Sequence, residues 1–173
     1  RGEPAAGGRG GVVEGHARGR GVETLTRFRQ VLDDFNPDTG RVVGTNTLRA
    51  AKNVRSCIGP AQAILGHPIE IVSGREEARL IYLGVAHSEA DDDHARLVVD
   101  IGGGTTEVII GERFEPRVLE SLHLACVGYQ QRFFPNRLIP PSPFCCAYRA
   151  AYQDVSALLS CLPAPPFGPL PCP

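Results

Sequence analysis

The segment Leu97-Val98-Val99-Asp100-Ile101-Gly102-Gly103-Gly104-Thr105-Thr106-Glu107-Val108-Ile109-Ile110 decides the fold. An apolar, β-branched run suited to a strand delivers Asp100 near its end. Three glycines and two hydroxyls follow, and Glu107 opens a second apolar run. Glycines lack a Cβ, so their N–H groups can turn inward and approach an anion closely. A dinucleotide fingerprint or a P-loop requires a helix directly after its glycines. Here Thr106 to Ile110 read as strand, and no Gly-Lys-Ser/Thr is present. The unit is a strand–loop–strand grip, with Asp100 and Glu107 at the ends of facing strands, where two carboxylates can hold a divalent cation against phosphate oxygens. A plain glycine-rich hairpin is the competing account.

Working outward, Gly111-Glu112-Arg113 is a turn and Val118 to Leu124 a third strand. On the other side, Asp91 to Asp93 form a solvated acidic link. Arg75 to His87 has helical spacing, with Ala78, Ile81, Tyr82 and Val85 on one face. Ser73 or Gly74 can cap this helix, and Glu76 and Glu77 in its first turn suit the helix dipole. Nothing in that pattern alone makes either glutamate a general base. Ile69 to Val72 and Arg41 to Gly44 are short strands, and Thr45 to Arg55 begins a helix capped by Thr or Asn. At that strand-to-helix junction free N–H groups favour anions. Arg49 can clamp a phosphate, or take part in a surface salt bridge. Asn36 to Gly40 is a turn cluster, and Val22 to Asp34 a helix with Val22, Leu25, Phe28, Val31 and Leu32 at helical spacing. Strands alternating with helices, then a run of strands, predict two α/β layers joined near residues 88 to 96.

Composition narrows the class. The net charge is −1 and the pI is near 6.6, so there is no electrostatic case for DNA or an anionic membrane surface. No run approaches the ~20 apolar residues of a membrane-spanning helix, and a cytoplasmic protein is expected. Residues 1–21 are low-complexity, Gly- and Arg-rich, and expected to be disordered. Residues 140–173 are proline-dense and carry four of the six cysteines, so little regular structure is expected there apart from Ala147 to Cys161. The cysteines show no zinc-type spacing, and Cys57 and Cys126 are expected to be reduced core thiols. The chain begins with Arg and has no Met, which leads us to expect a partial chain.

Three segments in this order carry a resemblance: Val43-Gly-Thr-Asn-Thr-Leu-Arg-Ala-Ala-Lys-Asn53, Ile69 to His87 with Ser73-Gly-Arg-Glu-Glu-Ala-Arg79 inside it, and Arg96 to Glu107. Phe114-Glu-Pro116, Glu120-Ser121, Cys126-Val127 and Gln131-Arg-Phe-Phe-Pro135 extend it. Together, over roughly residues 22 to 139, they resemble the exopolyphosphatase and guanosine pentaphosphate phosphohydrolase family. The resemblance implies the ribonuclease-H-like α/β fold shared with actin and the sugar kinases, two domains around a cleft. Residues 22–88 would supply the C-terminal half of the first domain and 89–139 the opening strands of the second. It implies Mg²⁺-dependent attack of water on the terminal phosphorus of polyphosphate or guanosine pentaphosphate. Glu77 would be the base, Asp100 and Glu107 the metal-side carboxylates, Gly102, Gly103, Gly104 and Thr105 the phosphate loop, and Arg49 a further phosphate contact. A homodimer is expected by the same likeness.

The sequence departs from the family at several points. The family usually has Ser where Thr105 stands, and its N-terminal Asp-x-Gly-Ser-Asn-Ser loop has no counterpart in the first twenty residues. After Ile139 the likeness is expected to fade into an unrelated or out-of-frame end. Two other readings compete. An ATP-dependent kinase of the same superfamily would need an adenosine pocket and fits the Ser73 to Arg79 segment poorly. A non-catalytic polyphosphate- or nucleotide-binding remnant would leave the carboxylates without a task.

Overall fold

Two short parallel strands, β1 (Val42–Gly44) and β2 (Ile69–Ile71), pair in register Val42↔Ile69 in the computed structural model, which describes residues 11–90 and 93–161. Between them run α2 (Asn46–Ala50) and α3 (Val54–Leu65), and the preceding α1 (Gly15–Phe35) packs against α3. The single helix expected from Thr45 to Arg55 is thus two. Ala51 leaves helical geometry, and a fresh start at Asn53 opens α3. Helix α3 ends at Gly66, whose left-handed φ of 72° suits glycine. The Arg29 guanidinium from α1 donates to the Leu65 carbonyl there, at 2.7 Å.

Helix α1 begins at Gly15, seven residues before Val22 and inside the stretch expected to be disordered. The side chain of Asn53 explains part of this, since it bonds both the N–H and the C=O of Val13 and fixes the chain just ahead of the helix. Residues 1–10 lie outside the described residues, as do Asp91 and Asp92 of the acidic link and residues 162–173.

The second sheet is an antiparallel meander of β3 (Ala95–Ile101), β4 (Thr106–Glu112) and β5 (Glu115–Leu122), in the order β3-β4-β5. Helix α4 (Gly74–Ser88) packs on one face of this sheet. Ser73 caps it by accepting from the Glu76 N–H. Ala78, Tyr82 and Ala86, spaced four apart, are buried against Ile109, with Ile81, Val98 and Leu119 around them. Although α4 precedes the acidic link, where the two layers were expected to join, its core contacts are with the sheet that follows the link. A Cβ on Gly111 would lie 2.4 Å from the Tyr82 ring, so glycine is what lets the ring seat.

The chain divides after Gly128 into two compact units. The second contains α6 (Pro141–Cys161), a 21-residue helix. Its prolines, Pro141 and Pro143, fall in the first turn, where the N–H groups have no intrahelical partner anyway. That is why a proline-rich start did not prevent the regular structure that extends upstream of Ala147. Cys57 is only half-buried and Cys126 exposed, so neither is a core thiol. The backbone N–H of Cys126 donates to the Gly102 carbonyl, so this residue ties the chain through its main chain.

Candidate functional site

The loop between β3 and β4 is short and tightly tied. Asp100 and Glu107 are direct register partners across the two strands, and Ile101 pairs with Thr106. Gly102 N–H donates to Thr105 O at 2.9 Å, and a Cβ on Gly102 would crowd the same oxygen. Cys126 and Val127 donate their N–H groups to Gly102 O and Gly103 O, anchoring the loop from the other side. Thr106 Oγ1 donates to Leu124 O, so this hydroxyl is used in the fold, while the buried Thr105 lines the cleft.

A cleft of about 420 Å³ opens over this loop. Its walls are Asp100, Gly102, Gly103, Gly104, Thr105 and Glu107 on one side and Thr45, Asn46, Thr47 and Glu77 on the other, with Ile101 and Val127 completing it. Gly104 and Asn46 are in such close approach that a Cβ on the glycine would overlap the Asn46 amide. The glycines of this loop therefore do two jobs, closing a turn and admitting a side chain from the first sheet's junction.

Glu76 and Glu77 separate sharply. Glu76 turns outward to Arg79 at 2.7 Å and Arg41 at 3.5 Å, and the hydrogen bond from Arg79 holds its carboxyl below the ordinary value. Glu77 turns inward, and burial is the main reason its carboxyl is pushed up. The negative charge of Glu107 pushes it further, against the opposing pull of Arg49 and a hydrogen bond with Thr45. Glu107 is itself 1% exposed, and its Oε1 accepts from Ser121 Oγ at 2.8 Å.

Seven of the eight predicted site residues thus line one cleft. The eighth, Arg49, does not line it. Its guanidinium donates to Val72 O at 2.7 Å and sits 3.4 Å from Glu77, so it braces the glutamate from behind. Sequence reasoning left Asn46, Thr45 and Thr47 without individual roles, although the junction was singled out. It also missed Ser121, whose position two strands away from Asp100 and opposite Glu107 emerges only from strand register. Among the described residues no three acidic, His or Cys side chains gather as a ready-made metal cage. No helix among them is long and apolar enough to cross a membrane.

A glycine-rich loop between antiparallel strands, with carboxylates beside it, marks the cleft of this α/β protein. Residues 8–161 match the model of the Ppx/GppA phosphatase family, and the chain belongs to that family. The match runs on past Ile139, so the expected fading of the likeness there is corrected: α6 is part of the family domain. The chain is 46% identical over 140 residues to a guanosine-5'-triphosphate,3'-diphosphate pyrophosphatase of Vibrio vulnificus, covering 81% of this chain and 28% of that protein. A protein of the same description from Vibrio cholerae is 45% identical over 141 residues. Among solved structures, an exopolyphosphatase from Cytophaga hutchinsonii superposes with a TM-score of 0.79 at 25% identity, covering 92% of this chain and 50% of that one. The Aquifex aeolicus PPX-GPPA enzyme does so with a TM-score of 0.68 at 25% identity, covering 86% and 49%. The fold is accordingly the ribonuclease-H-like α/β fold of the actin and sugar-kinase superfamily, present in part. The chain spans 28% of the length of the curated relatives it matches.

Proposed function

We propose that this chain carries catalytic parts of a phosphoanhydride hydrolase that releases terminal phosphate from inorganic polyphosphate or from guanosine pentaphosphate. The observation that carries the reading is the convergence of Glu77, Asp100, Glu107 and the Gly102–Thr105 loop on one cleft. Backbone N–H groups and the Thr105 hydroxyl of a pre-formed loop suit oxygens on which charge develops in phosphoryl transfer. Glu77 is the base: it orients a water and takes its proton as the water oxygen bonds to the terminal phosphorus and the anhydride P–O bond breaks. Burial and the neighbouring Glu107 raise its proton affinity, which moves a carboxylate toward the range useful for that task.

Asp100 and Glu107 would hold Mg²⁺, which supplies charge neutralisation at the phosphate oxygens when bound. Their donor set fits the ion, because Mg²⁺ commonly takes one or two carboxylates and fills its remaining positions with water and substrate oxygens. Arg49 keeps Glu77 placed and opposes, without overcoming, the upward push on its carboxyl. The test is phosphate release from polyphosphate and from guanosine pentaphosphate, with this chain set into the full length of a curated relative. Release that Glu77→Gln abolishes supports the reading. Tight binding of both compounds with no release would favour the non-catalytic alternative and overturn it.

A further inference from the structure

We infer that Ser121 is a positioning residue that sets the geometry between Glu107 and Glu77, an inference that rests on the reading of Glu107 as a metal-side carboxylate. Ser121 lies on β5 directly opposite Glu107 on β4. Its Oγ donates to Glu107 Oε1 at 2.8 Å, which occupies one oxygen of a carboxylate that is 1% exposed and leaves Oε2 for a ligand. The other side of Ser121 meets the first residue of α4. A Cβ built on Gly74 would stand 2.6 Å from both Cβ and Oγ of Ser121, and 3.8 Å from Arg49 Nη2. Gly74 is therefore packed between the residue that holds Glu107 and the residue that braces Glu77. Three positions on, the same helix presents Glu77 to the cleft.

The chemistry follows from this seating. Glu77 and Glu107 repel one another, and the hydrogen bond from Ser121 gives Glu107 a fixed partner against that repulsion. A hydroxyl hydrogen bond to a carboxylate is directional, and here it also sits against a helix start that cannot shift without moving Glu77. The contact is close enough that a Cβ on Gly74 would press on both Cβ and Oγ of Ser121.

The test is a titration of the full chain with MgCl₂, followed through the amide resonances of Gly102, Gly103 and Gly104. Four variants are compared with wild type: Ser121→Ala, Ser121→Thr, Gly74→Ala and Glu107→Gln. Ser121→Ala should weaken Mg²⁺ binding about tenfold, the usual scale for losing a hydrogen bond to a charged group. Ser121→Thr keeps the hydroxyl and should restore binding to within about threefold. Gly74→Ala pushes on Ser121 and should weaken binding although it touches neither carboxylate. A purely structural role would lower the melting temperature of Ser121→Ala while leaving Mg²⁺ affinity at the wild-type value, and that result overturns the inference. If Glu107→Gln weakens Mg²⁺ binding and Ser121→Ala does not, the inference fails and the metal reading stands. If Glu107→Gln also leaves binding unchanged, the metal reading itself is lost. Should Ser121→Ala not fold, Gly74→Ala and Ser121→Thr decide: equal, wild-type affinity in both overturns the inference.

Discussion

The two faces of the β3–β4–β5 sheet have comparable apolar content and opposite fates. On one, Val98, Ile109 and Leu119 lie under α4, and Ile109 is fully buried. On the other, Leu97, Val99 and Ile101 are 55%, 49% and 67% exposed, and no described element covers them. A strand alternates its side chains between faces, so one sequence run supplies both. What distinguishes them is the helix. The covered face also carries the candidate site, because Asp100 and Glu107 point the same way as Val98 and Ile109, and α4 brings Glu77 to them. The candidate site and the α4 core thus share one face, while Leu97, Val99 and Ile101 stay exposed on the other.

The largest expected effect breaks this contrast directly. Ile109→Ala should cost about 2–5 kcal/mol of unfolding free energy, the range for emptying a well-packed core site. Val99→Ala on the bare face should stay within about 0.5 kcal/mol. Urea melts of both variants check the pair, and equal losses would show that the bare face is covered in solution.

Next in size is the contrast within α4. Glu77→Gln should lower turnover by at least about 10²-fold, with substrate affinity nearly intact, as expected for loss of a general base. Glu76→Gln should change little, since that carboxylate faces Arg79 and Arg41 on the surface. Steady-state kinetics in the full-length setting would measure both, and equal losses would erase the distinction between neighbouring glutamates.

A third variant probes the approach of the two loops. Gly104→Ala forces a methyl into the Asn46 amide, and should destabilise the chain by about 1–3 kcal/mol through overpacking. A thermal melt reads this, and Asn46→Ala added to Gly104→Ala should recover part of the loss.

The smallest effect concerns pH. The folded Glu77 carboxyl is raised, chiefly by burial. Such a group costs nothing below its unfolded value, where it is protonated in both states, and removes stability as pH rises through its folded value. Glu77→Gln lacks that cost, so its melting temperature relative to wild type should be higher at pH 7 than at pH 4. A difference that shrinks or reverses toward pH 7 would mean that the Arg49 contact outweighs burial.

Much of this was legible beforehand, and for a local reason. Strands, glycine loop and α4 announce themselves through spacing, and the partnership of Asp100 with Glu107 follows from a short loop between two strands, which leaves little freedom in register. The helix start at Gly15 and the length of α6 were not legible, because glycine, arginine and proline content argues locally against helix. Tertiary and positional effects reversed both, through Asn53 holding Val13 and through prolines falling in a first turn. Among site residues, Arg49 was read as a phosphate clamp because a guanidinium at a junction has that capacity. Its place behind Glu77 depends on Val72 O, a partner 23 positions away.

By itself, then, the sequence determined which residues are candidates for the chemistry: charge, hydroxyl and missing Cβ are properties of each residue and need no partner. Only the tertiary structure decided what those residues do for one another. Which of Glu76 and Glu77 is buried, which strand face α4 covers, and that Ser121 rather than a cleft residue holds Glu107 all depend on long-range packing. Desolvation and hydrogen-bond partners are set by neighbours distant in the chain, and those neighbours are fixed only when helix and sheet meet.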